Sequence, residues 1–170
     1  MSSELSTAKD LLAKLVGFDT TSAKSNLALI DFAEDYLAGH GVSATRVVTE
    51  EGKKASLCAT IGDGDGGIGL SGHSDCVPVD GQNWTSDPFT LTARDGKLFG
   101  RGTCDMKGFI ACVLACVPRF KTKPLKEPVH IFISYDEEVG CVGVRPMIAR
   151  FGADLPKPRL VIVGEPTGMQ

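Results

Sequence analysis

A histidine and a carboxylate two residues apart, in Gly72-His73-Ser74-Asp75, follow the short apolar run Ile68-Gly69-Leu70-Ser71. That spacing suits an imidazole metal ligand with a carboxylate that accepts its second ring N–H and fixes its tautomer. Three later segments place acids where an apolar run ends or a helix opens: Asp105, the pair Glu137-Glu138, and Glu165. Any one of these acids alone reads as a solvated turn residue. Read together, the four segments predict convergence on a two-metal hydrolytic site. Five carboxylates around one imidazole would repel: two like charges ~4 Å apart cost about 4 kcal/mol at an effective dielectric near 20. Divalent cations relieve that repulsion, and a nitrogen-plus-carboxylate donor set suits Zn²⁺, with Co²⁺ or Mn²⁺ also matching.

The elements that must position these residues follow from periodicity. Residues 6–16 predict a helix capped by Ser6 and stopped by Gly17. Residues 26–38 predict a second helix after Ser25, with His40 as a solvated group at its C-terminus. Strands are expected at 44–49 and 55–61, joined by a turn at Glu50-Glu51-Gly52-Lys53. The Asp63-Gly-Asp-Gly-Gly67 stretch fails the EF-hand spacing and lacks the Lys-Ser/Thr of a phosphate loop, so it reads as a connection. Strand 68–72 delivers His73, and a long loop at 76–89 carries the only tryptophan, Trp84. A hairpin is expected around Asp95-Gly96. Asp105 opens a helix whose apolar positions are Met106, Phe109, Ile110, Val113, Leu114 and Val117. Strand 129–134 precedes the glutamate pair, with His130 a packed or edge histidine. A helix at 141–151 and a strand at 160–163 lead to Glu165. Helices alternating with apolar strands predict an α/β, three-layer αβα fold with a largely parallel, mixed central sheet. In such sheets ligands bind beyond the C-terminal strand ends, which is where the acids fall.

Composition narrows the function classes. The 170 residues, 42% hydrophobic and 23% charged with net charge −3, form no basic stripe, so nucleic acid and membrane are poor partners. No apolar run reaches the length of a membrane span. The Met-Ser-Ser-Glu-Leu start has no basic or apolar signal region, which predicts a cytoplasmic protein. The six cysteines form no C-x-x-C and read as buried free thiols, Cys112 and Cys116 within an apolar helix. Ser71 sits among glycines but not in G-x-S-x-G, so a serine hydrolase is unsupported.

At the motif level the chain resembles the dinuclear zinc amidohydrolases and peptidases, the family that includes acetylornithine deacetylase, succinyl-diaminopimelate desuccinylase, aminoacylase and glutamate carboxypeptidase. The resemblance rests on S-G-H-S-D-C-V-P-V at 71–79, W-T-S-D-P-F at 84–89, G-K-L-F-G-R-G-T-C-D-M-K-G-F at 96–109, S-Y-D-E-E-V-G at 134–140 and V-G-E-P-T at 163–167. Within the family, G-T-C-D-M-K-G-F, G-E-P-T-G-M-Q and S-N-L-A-L-I-D at 25–31 favour the branch acting on N2-acetyl-L-ornithine. The resemblance implies roles: His73 and Glu165 on one metal, Asp105 bridging two, Glu138 on the second, Glu137 as general base and Asp75 orienting His73. It implies two Zn²⁺ per complete site and an N-acylated amino acid as substrate.

The same resemblance implies that residues 1–170 are the N-terminal portion of a catalytic domain. The family's lid or dimerisation domain, through which a homodimer would form, would then lie outside it. The second metal's histidine would too, since neither His40 nor His130 sits in a matching motif. An exposed sheet edge and an inactive or weakly metal-binding chain at this length are the corresponding expectations. Other readings left open are a desuccinylase, aminoacylase or dipeptidase, and a non-catalytic metal-binding fragment.

Overall fold

The architecture turns on β3, the strand that ends at His73. In the computed structural model, which describes residues 3–168, the central sheet has the order β1-β2-β6-β3-β7. Its strands are β1 (Ala44–Val48), β2 (Ala55–Ile61), β3 (Ile68–His73), β6 (Val129–Ser134) and β7 (Leu160–Val163). The Met1-Ser2 start and Met169-Gln170 of the G-E-P-T-G-M-Q stretch lie outside the described residues. A two-stranded ribbon, β4 (Thr92–Arg94) and β5 (Lys97–Phe99), turns at Asp95-Gly96 as expected.

The sheet is mixed, and its two parallel pairings are β6–β3 and β3–β7. The tight turn at 50–53 obliges β1 and β2 to pair antiparallel, and β2–β6 is antiparallel as well. The chain runs from β3 to β6 on one side, then returns across β3 to β7 on the other. Strand order therefore reverses at β3, and a crevice opens beyond its C-terminal end, where His73 sits beside Ser134 of β6.

Helices α1 (Ser3–Val16), α2 (Leu27–Gly39) and α3 (Lys107–Thr122) cover one face. Their stripes, among them Leu15, Leu29, Ile30, Leu37 and Leu114, pack against Leu57, Ile131 and Ile133 of the sheet. The period of two along β6 puts Phe132 on the opposite face, against Val47, Cys58, Met147 and Leu155. That second layer is thin. The helix expected over 141–151 shrinks to α4 (Arg145–Ile148). Gly140 and Cys141 have positive φ, and Pro146, which lacks an N–H, is confined to the first helical turn.

Three further expectations shift. Helix α1 begins at Ser3, so Ser6 lies inside it rather than capping it. Helix α3 begins at Lys107, two residues after Asp105, so Asp105 precedes the helix instead of opening it. All six cysteines are free as expected, but only Cys58 and Cys76 are buried. Cys112 and Cys116 fall off the Ile110–Val113–Leu114–Val117 stripe, on the side of α3 that carries Arg119. His130 is buried, its Nδ1 2.9 Å from Thr60 Oγ1 and its Nε2 2.7 Å from the Gly66 carbonyl, so it is a packed histidine. Strand β7 forms an exposed apolar edge, with all four of its residues solvent-accessible.

Asn26 joins the helical layer to the sheet. It stands at the N-cap of α2, yet its side chain turns inward: Nδ2 donates to the Ala55 carbonyl and Ser74 Oγ, and Oδ1 accepts from Ala55 N. Asn26→Ala strands both backbone groups of Ala55 in the interior. We expect a loss of roughly 2–6 kcal/mol, at about 1–3 kcal/mol per unpaired buried group, read as a lower denaturant midpoint.

Candidate metal centre

His73 is 1% exposed. Its Nδ1 lies 2.9 Å from the Asp75 backbone carbonyl and 3.4 Å from Asp75 Oδ1. The ring N–H is therefore held first by the Asp75 main chain, with the carboxylate beside it. Its Nε2 points outward, 3.0 Å from Asp105 Oδ1, 3.6 Å from Glu165 Oε1 and 3.9 Å from Glu137 Oε2. Held this way, the ring could give up the proton on Nε2 and keep the one on Nδ1, which is the form a metal ligand needs.

Asp75 is more of a hub than its spacing suggests. Its carboxylate, 3% exposed, accepts from Ser22 Oγ at 2.7 Å, Glu137 N at 3.1 Å and Glu138 N at 3.3 Å. One buried side chain thus touches both the histidine and the backbone of the glutamate pair. Glu165 is placed by Gly164, where an added Cβ would lie 2.0 Å from the Phe109 ring; only glycine lets β7 pass α3 this closely. Asp105 lies in a run of turns over 101–106 that is braced by Lys107. That side chain is fully buried, its Nζ donates to the Phe18 carbonyl at 2.7 Å, and its stem fills the space over Gly102.

The six predicted residues therefore meet at one rim. Two triads have ligand atoms within 4.8 Å of one another: His73, Glu137 and Glu165, and His73, Asp105 and Glu138. Both triads share His73. Without a metal, the imidazolium is the positive charge on which the acids gather, a role that a bound cation would take over. Glu137, expected as a base, lies at ligand distance beside Glu165.

Electrostatics explains the gathering. Burial disfavours a charged His73 ring. The hydrogen bond and charge of Asp75, with the charge of Glu165 and the hydrogen bond to Asp105, outweigh it and raise the pKa to about 9. Burial also raises Asp75, but hydrogen bonds from His73, Ser22 and Glu137 N prevail and lower it. Glu138 and Glu165 are both pushed up, first by burial and then by neighbouring acids, Asp105 in each case. The one cationic partner the structure gives Asp105, Glu137 and Glu165 among the described residues is His73 itself. A rim of one nitrogen and several oxygens, short of positive charge, fits divalent cations.

An apolar cavity of about 420 Å³ runs from His73, Glu137 and Glu165 past Phe132, Met147 and Val161. Several supporting residues escape motif reading. Thr20, Ser22 and Lys54 come from stretches that look like polar loop or turn, and Asn26 from the first position of the helix read over 26–38, yet Thr20 donates to the Ser74 carbonyl and Lys54 reaches Asp136. Nothing local in the sequence marks them, because their partners lie 29 to 82 residues away. Lys107 stands inside the D-M-K-G stretch, and a lysine on an apolar helix face was the available signal.

Residues 69–170 match the family described as Peptidase family M20/M25/M40. The chain belongs to this family. It is 39% identical over 177 residues to an acetylornithine deacetylase of Proteus mirabilis (strain HI4320), covering 100% of this chain and 45% of that protein. It is 42% identical over 173 residues to an acetylornithine deacetylase of Myxococcus xanthus, covering 98% of this chain and 44% of the relative. The chain thus spans less than half the length of these curated relatives. Among solved structures, human carnosine dipeptidase 1 superposes with a TM-score of 0.80 at 23% identity, over 92% of this chain and 38% of that one. An M20 family metallo-carboxypeptidase from Sulfolobus solfataricus gives 0.79 at 24% identity, over 96% and 37%. These two establish the α/β fold. Among the described residues, no helix is long and apolar enough to cross a membrane.

Proposed function

We propose that this chain carries the metal-binding rim of an amide hydrolase that cleaves N2-acetyl-L-ornithine to acetate and L-ornithine. The observation that carries the hydrolase reading is the convergence of His73, Asp75, Asp105, Glu137, Glu138 and Glu165 at the strand-order reversal. The substrate reading is supported by the two acetylornithine deacetylase relatives, each aligned over nearly the whole chain. His73, Asp105, Glu138 and Glu165 would hold two Zn²⁺. When bound, such a pair polarises the scissile carbonyl and makes water acidic enough to attack near neutral pH.

The chain's own residues handle the proton and the geometry. Asp75, through its carbonyl and carboxylate, keeps His73 in the Nδ1–H tautomer with Nε2 outward. Glu137 takes the proton that the attacking water loses as its oxygen bonds to the acyl carbon. It returns that proton to the amine nitrogen as the C–N bond breaks. Asp75 fixes the main chain of the base by accepting from Glu137 N. The free cysteines, three of them exposed, suit a reducing compartment such as the cytoplasm.

The test is a substrate comparison on protein expressed from its full reading frame and loaded with Zn²⁺. N2-acetyl-L-ornithine should show a higher kcat/KM than N-succinyl-L,L-diaminopimelate or N-acetyl-L-methionine. Faster turnover of the succinyl or methionyl compound overturns the ornithine assignment and leaves the hydrolase reading standing.

A further inference from the structure

The glutamate pair follows a residue in an unusual conformation. Asp136 has φ of 53°, in the left-handed region that few non-glycine residues adopt. Its carboxylate accepts from Lys54 Nζ at 2.5 Å, and the two side chains are only 16% and 18% exposed. The same Nζ donates to the Ser22 carbonyl. Ser22 in turn gives its hydroxyl to Asp75, which accepts from the backbone of Glu137 and Glu138.

These contacts close a ring: Lys54 to Asp136, along the chain to Glu137, across to Asp75, to Ser22, and back to Lys54. Four separate chain segments meet in it, at the start of β2, between α1 and α2, after β3 and after β6. A surface ion pair would hold two side chains and leave the backbone free. Here one ammonium is bonded on both sides of the Asp75 carboxylate, to the segment that supplies Ser22 and to the turn that supplies the glutamates.

We infer that Lys54 is a positioning residue for Glu137 and Glu138: it locks the left-handed turn at Asp136 and ties it to the segment that holds Asp75. The inference rests on the hydrolase reading for the role of the pair. It does not depend on which acyl-amino acid is cleaved. A displacement of about 1 Å at a reacting group can cost ~100-fold in rate, and partners behind a metal ligand are worth about 10–100-fold in affinity or activity.

The experiment compares Lys54→Met, Lys54→Arg and Asp136→Asn with the wild type, each from the full reading frame. Zn²⁺ affinity is measured by competition with a chelating dye. Steady-state kinetics use whichever acyl-amino acid the wild type turns over fastest. Lys54→Met should lower kcat ~10–100-fold with KM within about twofold, and weaken the Zn²⁺ bound through Glu138 by ~10-fold. Lys54→Arg should restore most of both. Asp136→Asn tolerates the same backbone and lacks the charge, so it should reproduce the Lys54→Met phenotype even if that variant folds poorly. Wild-type kcat and Zn²⁺ affinity in Asp136→Asn, or losses in Lys54→Met that merely track the unfolded fraction, overturn the inference. A wild type that binds Zn²⁺ but cleaves no acyl-amino acid overturns the hydrolase reading instead, and the dye competition still decides the role of Lys54 in placing Glu138.

Discussion

In protein expressed from its full reading frame, the proposed role of Glu137 as general base leads us to expect that Glu137→Gln retains its metal and loses turnover by ~100-fold or more. The substitution keeps the size of the side chain and the main-chain bonds that hold the turn. Glu137 N still reaches Asp75, and the Glu137 carbonyl still accepts from Gly140 N and Cys141 N. It removes the carboxylate oxygen that receives a proton. Metal content by atomic emission and kcat on N2-acetyl-L-ornithine give the two readouts. A loss of metal would make Glu137 a ligand, as its place 3.9 Å from His73 Nε2 and in a triad with Glu165 allows. The roles within the pair would then be exchanged. Glu138→Gln is the mirror control: it should release metal, because it removes a carboxylate from the triad of His73, Asp105 and Glu138.

The residues of this site were legible because each is announced locally. An apolar run of four to six residues followed by glycine or acid marks a buried strand and its end, and β3, β6 and β7 fall within a residue of the ranges so read. Their convergence was legible too, since parallel strands must point their C-terminal ends the same way. What holds the rim together was not. Ser22, Asn26, Lys54 and Lys107 act through partners distant in sequence, and Ser22 and Lys54, which lie in loops, have no periodicity to betray burial. The extent of α4 depended on where Pro146 fell within a run of turns. The exposure of Cys112 depended on which side of α3 faced the sheet, and an apolar composition conceals that.

The support also explains how an acidic rim is kept in a folded protein. His73, Asp75 and Lys107 are all buried, and each is paired or hydrogen-bonded rather than left to solvent. Burial of charge is tolerated only with such partners. The acids facing outward, Asp105, Glu137 and Glu165, have the His73 ring in common. The centre is therefore built in two tiers: a saturated polar layer beneath, and an upper tier of carboxylates short of positive charge.

That arrangement sets a pH dependence that differs between the metal-free and the metal-loaded protein. In the metal-free form the His73 pKa is raised from 6.5 to about 9. A group raised on folding contributes stability that is complete below its unfolded pKa and is lost as pH climbs through the folded one. Between those two values the folded protein holds a proton that the unfolded chain has released, and each pH unit so crossed removes about 1.4 kcal/mol. Over the whole interval the metal-free protein should lose about 3 kcal/mol. At roughly 2–4 °C per kcal/mol for a domain of this size, Tm should fall by roughly 6–12 °C. The raised carboxyls of Glu138 and Glu165 act in the same direction at lower pH, since they too favour the protonated form. Asp75, lowered by its hydrogen bonds, works oppositely and costs stability only as the medium becomes acidic. Zn²⁺ requires a neutral His73 and ionised acids, so its binding should release protons and strengthen with rising pH. Thermal unfolding with EDTA and with Zn²⁺, from roughly pH 6 to 9, therefore gives diverging curves, the metal-free Tm falling while the gap to the loaded protein widens. His73→Ala should abolish both the decline and the gap. Parallel curves in the wild type would mean that His73 is neutral without metal and is not the charge on which the acids gather.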